Sequence, residues 1–343
     1  MNARRFLIYL TLSSLSGIAI VAIWFAAHLG MPWWPHHLNR EARIAKHYIA
    51  ESVSGPTIWI QGGSSAWFGF DSELIQQETG YSVVNLAFNV NMPTEFCFDE
   101  IRLFAKEDDV VILGLENSMY FRDNYSSYAA DEIAIWAPEF FWSLSFPRKA
   151  RFLQSLPWQK VLASSLVRLG TLTGDYDKHL KPISEVQVIE NLTARWEGRY
   201  EGEIPAYYNY LTMNRHGDFI QTDHELWRGE HDYNLMGRSP ISEMSKRDLT
   251  EFASWARDNR ITVLMAWLPM AENPALDLSL PQTQATIKRI TDFSESLGLE
   301  FLGKPEEYVM DIELFYDTSH HTTGEGARLR TERLLPHLRQ RLP

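Results

Sequence analysis

Short apolar runs, rich in β-branched residues, alternate along the chain with amphipathic stretches of helical period. "TIWIQ" (Thr57–Gln61), "YSVVNLA" (Tyr81–Ala87), "DVVILGL" (Asp109–Leu115), "ITVLMAWL" (Ile261–Leu268) and Leu299–Leu302 have the length and composition of strands. The third is almost wholly apolar, as a strand is when both faces of its sheet are covered. Between them, the spacing predicts helices over Asp71–Thr79, Thr94–Ala105, Ile241–Asn259, Pro281–Leu297 and Gly324–Arg341. Asp71 stands as an N-cap, and Pro93, Ser239-Pro240 and Pro281 mark starts. Strands separated by helices make β-α-β units, hence a parallel sheet with helices on both faces.

The rhythm breaks over 120–240, where "EFFWSLSF", "IPAYYNYL" and "MNRHGDF" follow no single period. Helices are expected at 148–156 and 158–170, then irregular structure, as an insertion capping the sheet. Residues 31–55 read as a linker holding a short helix, "NREARIAKHYIAESV". The organisation is then an anchor over 1–30, a linker over 31–55 and an α/β domain over 56–343 with its insertion at about 120–240.

The anchor follows from charge. Arg4 and Arg5 precede a run with no charged residue from Phe6 through Gly30, and Trp33 and Trp34 follow it. That run is long enough to cross a hydrocarbon core of roughly 30 Å. Arginines before it and tryptophans after it fit a cytoplasmic N-terminus and an interfacial belt on the far side. The end of the run offers Trp24, Phe25 and His28 around Ala26 and Ala27, which is no small-x-small cleavage site. An uncleaved single-pass anchor is expected, with the body outside the cytoplasm.

Composition excludes more than it assigns. The chain has 343 residues, 45% hydrophobic and 13% aromatic, enough for a large core. A net charge of −12 opposes nucleic-acid binding. Cys97 is the single cysteine, so neither an internal disulfide nor a cysteine-based zinc site is available. No cofactor or metal is expected. Most of the twelve tryptophans are assigned to packing.

Two stretches carry chemistry. "GGSS" (Gly62–Ser65) ends the first strand, and ligands of parallel α/β sheets bind at the carboxyl ends of strands. A glycine turn there exposes the next hydroxyl, but a serine is a poor nucleophile without a base. "YDTSHH" supplies one, with Asp317 and His320 spaced D-x-x-H before the last helix. A carboxylate on one ring nitrogen leaves the other to accept a proton. His321 is the next residue and the second imidazole of this loop.

Together these blocks resemble the SGNH/GDSL hydrolase superfamily. Gly63-Ser64-Ser65 with Gly69 resembles its G-D-S-x-x-x-G block, Ser64 replacing aspartate. "VVNLAFN" resembles the second block, with Ala87 where glycine is common. "VVILGLEN" resembles the third, with Asn117 one residue later than G-x-N. "FYDTSH…GARL" resembles the last. The resemblance spans 57–335 apart from the insertion. It implies a flavodoxin-like three-layer parallel sheet, Ser65 as nucleophile, His320 (or His321) as base and Asp317 as its orienting acid. The Ser65 amide, an amide near Ala87–Asn89 and the Asn117 side chain would form the oxyanion hole, Asn89 or Asn91 substituting if Asn117 does not reach. The nearest branches are anchored bacterial proteins that add or remove acyl groups, chiefly acetyl, on cell-surface polysaccharides. That implies a place in the bacterial inner membrane with the domain in the periplasm or beyond. An extracellular polysaccharide is then the expected partner, with a membrane-bound O-acyltransferase as a second. Arg215, His216 and Asp218 are expected to line the acceptor cleft. The alternative is an inactive relic that binds glycan or the acyltransferase.

Overall fold

The structure, a computed structural model, describes residues 3–27, 29–30, 37–163, 182–204, 208–220, 226–229 and 240–343. It divides into two compact units, Met1–His36 with Ser127–Pro182, and His37–Ser126 with Ile183–Pro343.

The second unit carries the sheet. Strands β1 (Thr57–Gly62), β2 (Ser82–Asn85), β3 (Val110–Gly114), β4 (Thr262–Ala266) and β5 (Glu300–Leu302) lie in the order β2-β1-β3-β4-β5. Every pairing is parallel; Ile58 sits opposite both Val83 and Val110, and Leu264 opposite Glu300. All of β1 and β3 is buried, as the unbroken apolar pattern of β3 requires. Asp109 fixes the start of the sheet: it accepts from the Thr57 amide (2.9 Å) and from the Trp59 indole (2.8 Å).

Helices follow the expected segments closely: Ser72–Thr79, Thr94–Phe104, Glu243–Asp258, Pro281–Ser296 and Gly324–Arg339. Asp71 caps the first through the Leu74 amide. The stretch read as a linker contains a buried helix, Leu38–Ser52, because Ala42, Ala45 and Ile49 recur at helical spacing and leave solvent. Its Lys46 is fully buried and donates to the carbonyls of Asn85 (2.6 Å) and Gly217 (3.0 Å). Part of the expected insertion belongs to this unit too: the Glu185–Trp196 helix and the 208–220 segment.

The first unit holds the N-terminal helix, Ala3–Ala26, whose apolar side chains from Phe6 to Ile23 are exposed. It is long and apolar enough to cross a membrane. Helices Ser127–Trp136, Pro138–Ser143 and Phe146–Ser155 accompany it. The helix expected at 158–170 is present over 158–163; its remainder lies outside the described residues. Phe25 is buried here, its ring 5.5 Å from that of Phe141 and 5.8 Å from that of Trp158.

Candidate functional site

Three strand ends and one C-terminal loop converge in the sheet unit. At the end of β1 the chain turns through Gly63 into one helical turn, Ser64–Trp67. Ser65 is fully buried, and its Oγ has no hydrogen-bond partner among the described residues. Ser64 is half-buried.

Arg330, on the last helix, fixes this turn from below. Its guanidinium donates to the carbonyls of Ser65 (3.3 Å), Gly69 (3.0 Å) and Trp267 (2.7 Å), and lies over the Phe70 ring at 4.0 Å. Burial lowers its pKa to about 10, against a small upward pull from Tyr308. Gly69 is required by this arrangement, since a Cβ there would stand 2.4 Å from Arg330 Nη1.

At the end of β2, Asn85 is the organiser. Its side chain donates to the Ala66 carbonyl (3.0 Å) and to Asp218 (2.8 Å), and accepts from the Ala87 amide (3.0 Å). Of the amides expected near Ala87–Asn89 for the oxyanion hole, that of Ala87 is thus bonded to Asn85. Asn89 accepts from the amide and side chain of Asn91, closing a local turn. Arg122 holds that turn by donating to the carbonyls of Val90, Asn91 and Met92.

At the end of β3 the residue facing Ser65 is Glu116. Its Oε1 accepts from the Ser65 amide (2.9 Å) and the Ser64 hydroxyl (3.3 Å). Asn117 begins the next short helix, and no hydrogen bond joins it to the Ser65 turn among the described residues. Gly114-Leu115-Glu116 thus occupies the register of G-x-N with a carboxylate in the amide's place.

The C-terminal loop brings Asp317 to His321. Nδ1 of His321 lies 2.7 Å from Asp317 Oδ1, and the Tyr208 hydroxyl donates to Asp317 Oδ2. Burial raises the Asp317 carboxyl's pKa, but the hydrogen bond and charge of His321, with the bond from Tyr208, outweigh it and hold the group below the usual range. The His321 ring is 7% exposed as a residue and stacks on Phe68, centroids 4.2 Å apart and planes at 7°. Thr322 pins the loop to the same turn through the Phe68 carbonyl (2.7 Å). Of the two histidines, it is His321 whose ring Asp317 holds. His320 is tied by its backbone to Thr318 (3.2 Å).

Arg215 and His216 lie elsewhere. The His216 ring donates to the Val83 carbonyl (3.0 Å), and its own carbonyl accepts from the Asn85 amide (2.7 Å), so the segment covers the outer edge of β2. Arg215 lies over the Trp196 ring at 5.4 Å. Both line a cavity of about 490 Å³ with Arg195, Trp196 and Met213. His216 runs beside β2 up to its last residue, Asn85, and Arg215 packs beside it on Trp196. Asp218 is buried and satisfied by Ser72, Asn85 and Asn214, a structural role.

Tyr208, Glu116 and Arg330 were not anticipated. Glu116 had a signal in the G-x-N register. Tyr208, from irregular sequence, and Arg330, a cation in an amphipathic helix, had none.

No family model matches the chain, and no curated protein matches it. Among solved structures, one from Streptococcus pneumonia described as "a putative platelet activating factor" aligns over 94% of this chain and 99% of its own. Identity is 11% and the TM-score 0.33, at which the likeness carries no argument.

Proposed function

We propose that the sheet unit is a flavodoxin-like, SGNH-type domain acting as a serine esterase or O-acyltransferase on acyl groups, chiefly acetyl, of an extracellular polysaccharide. The parallel order β2-β1-β3-β4-β5 supports the fold reading. The observation that carries the chemistry is the Asp317–His321 pair stacked on Phe68, one helical turn after Ser65. With Nδ1–H donated to Asp317, Nε2 of His321 is the free base. Ser65 is the nucleophile, His321 takes its proton and returns it to the leaving alcohol, and Asp317 fixes the tautomer. The Tyr208 bond further orients Asp317. Catalytic serine–histidine hydrogen bonds often form only in the substrate complex, which fits the unpartnered Ser65 hydroxyl. The apolar N-terminal helix supports membrane attachment, with the sheet unit in the periplasm or outside. A polysaccharide substrate and a membrane O-acyltransferase partner complete this reading.

The test is intact-mass analysis of the full chain in detergent after incubation with p-nitrophenyl acetate. An acetyl adduct of about 42 Da on wild type, absent from Ser65→Ala, is expected. An adduct that survives Ser65→Ala overturns the nucleophile.

One observation favours the second reading, a non-catalytic glycan or acyltransferase binder. Glu116 occupies the Ser65 amide that acyl transfer would need.

A further inference from the structure

The carboxylate on the Ser65 amide is not an accident of a flexible side chain. Glu116 is 8% exposed. It sits at the N-cap position of the Asn117–Phe121 turn, yet its side chain makes no capping bond there. The side chains that bond the amides two or three residues on are the shorter ones of Ser, Thr, Asp and Asn; a glutamate is longer and reaches past them. This one reaches across to β1 and bonds Ser64 and Ser65. The opposing backbone is shaped to receive it: a Cβ on Gly63 would stand 2.4 Å from Glu116 Oε1 and 3.1 Å from the Val90 Cα. Only glycine leaves that seat open. The nearby cation, Arg122, senses the charge of Glu116, but its donors go to the carbonyls of residues 90–92. The carboxylate's hydrogen-bond partners among the described residues are thus the two serines.

We propose that Glu116 Oε1 stands where the oxygen of a tetrahedral acyl intermediate would stand, and so acts as a built-in competitor for the oxyanion. This rests on the Ser65 reading above. In that reaction Ser65 Oγ bonds to the ester carbonyl carbon, the carbonyl π pair moves to oxygen, and His321 takes the hydroxyl proton. Collapse then breaks the ester C–O bond and the alcohol leaves with that proton. The developing O⁻ needs the Ser65 N–H, which Glu116 Oε1 already holds. Each hole donor is worth about 10²–10³ in rate where it has been removed. Glu116 therefore suppresses acyl transfer from any donor that does not displace it. It is a positioning residue that decides which acyl donors are used: weakly bound small esters leave the carboxylate seated, while a donor anchored by remote contacts displaces it.

The experiment uses the full chain in detergent and two substitutions. Glu116→Gln keeps the shape, removes the charge and offers an amide donor. Glu116→Ala clears the seat, and serves if the isostere stays bonded to Ser65. The probe is butylboronic acid, whose tetrahedral serine adduct places an oxygen in the hole; its affinity is read by calorimetry beside turnover of p-nitrophenyl acetate. At least one variant with wild-type Tm is expected to bind the probe tenfold tighter or more, and to turn over the ester at least tenfold faster. If both variants bind no tighter than wild type, the competitor role is overturned. Tighter binding that persists when Ser65→Ala is added supports the seat and overturns Ser65 as nucleophile. Tighter binding without turnover supports the seat and overturns the esterase reading.

Discussion

Nδ1 of His321 lies 2.7 Å from Oδ1 of Asp317, four residues earlier in the chain. The sequence spacing D-x-x-H points instead to His320. The extra residue is absorbed in a turn where the amides of both His320 and His321 donate to the Thr318 hydroxyl. The turn delivers the second ring, not the first, to the carboxylate, and Phe68 then holds that ring flat.

The two histidines therefore separate in a substitution test. His321→Ala is expected to lower ester turnover by three orders of magnitude or more, as loss of a triad base does. His320→Ala should cost far less. The check is kcat for p-nitrophenyl acetate with both variants at wild-type Tm; equal losses would remove His321 from its assigned role.

Asp317 gives a pH signature. Its carboxyl pKa is depressed in the folded state, chiefly because the His321 and Tyr208 bonds overcome burial. A depressed carboxylate contributes stability above its unfolded pKa of roughly 3.9 and loses it as pH falls through the lower folded value. Asp317→Asn should flatten the acid limb of the urea midpoint below about pH 4. It should also drop kcat by orders of magnitude at pH 7, since the tautomer is no longer fixed. An unchanged acid limb would mean the pair does not form in solution.

Gly69 and Arg330 should fail together. Gly69→Ala places a methyl against the guanidinium, and Arg330→Met strips donors from three buried carbonyls. Overpacking costs about 1–3 kcal/mol, and losing bonds from a charged donor about 1.5–3 kcal/mol each. Because Gly69→Ala already disturbs Arg330, the double variant should be less destabilised than the sum of the singles. Additive losses in chemical denaturation would sever this link.

The N-terminal helix should be retained. Phe25 is 7% exposed and packs on Phe141 and Trp158, so the end of the apolar run belongs to the fold of its own unit. A cleaved leader would take that ring out of a packed aromatic cluster. Intact mass of the membrane-extracted protein should include residues before Phe25; a mature start between residues 27 and 36 would sink the anchor.

What was legible in the sequence follows from the range of the interaction. Strands β3 and β4 announced themselves because strands covered on both faces are nearly all apolar, β1 because its β-branched run stops at two glycines, and helices because their periods and caps are local. Gly69 and His321 were visible as spacings, but the reasons were not: Gly69 serves Arg330, 261 residues away. Glu116 was overlooked because Asn117, next to it, offered the expected side chain one position late. Strand register fixes which of the two faces Ser65, and the G-x-N spacing from Gly114 falls on Glu116. Arg215 and His216 looked like cleft residues, being polar among aromatics. The edge of β2 claimed His216, whose ring and carbonyl bond Val83 and Asn85, and the Trp196 ring took Arg215.

Lys46 provides the last expectation. Its ammonium is fully buried, bonded to two carbonyls and 4.8 Å from the Trp67 ring centroid. Burial lowers its pKa to about 7, opposed by the charge of Asp218. An unfolded lysine titrates near 10.4, so between about pH 7 and pH 10 the unfolded chain binds a proton that the folded chain increasingly lacks. Stability must then rise with pH across this window and level off below it, where both states are protonated. Other groups titrate in the same range, so the informative quantity is the difference from Lys46→Met. That variant lacks the proton in both states and loses two hydrogen bonds at every pH. Relative to it, wild type should gain urea resistance steadily from pH 7 to pH 10. A constant difference between the two would show that Lys46 keeps an ordinary pKa, with the Asp218 charge and the two carbonyls offsetting its burial.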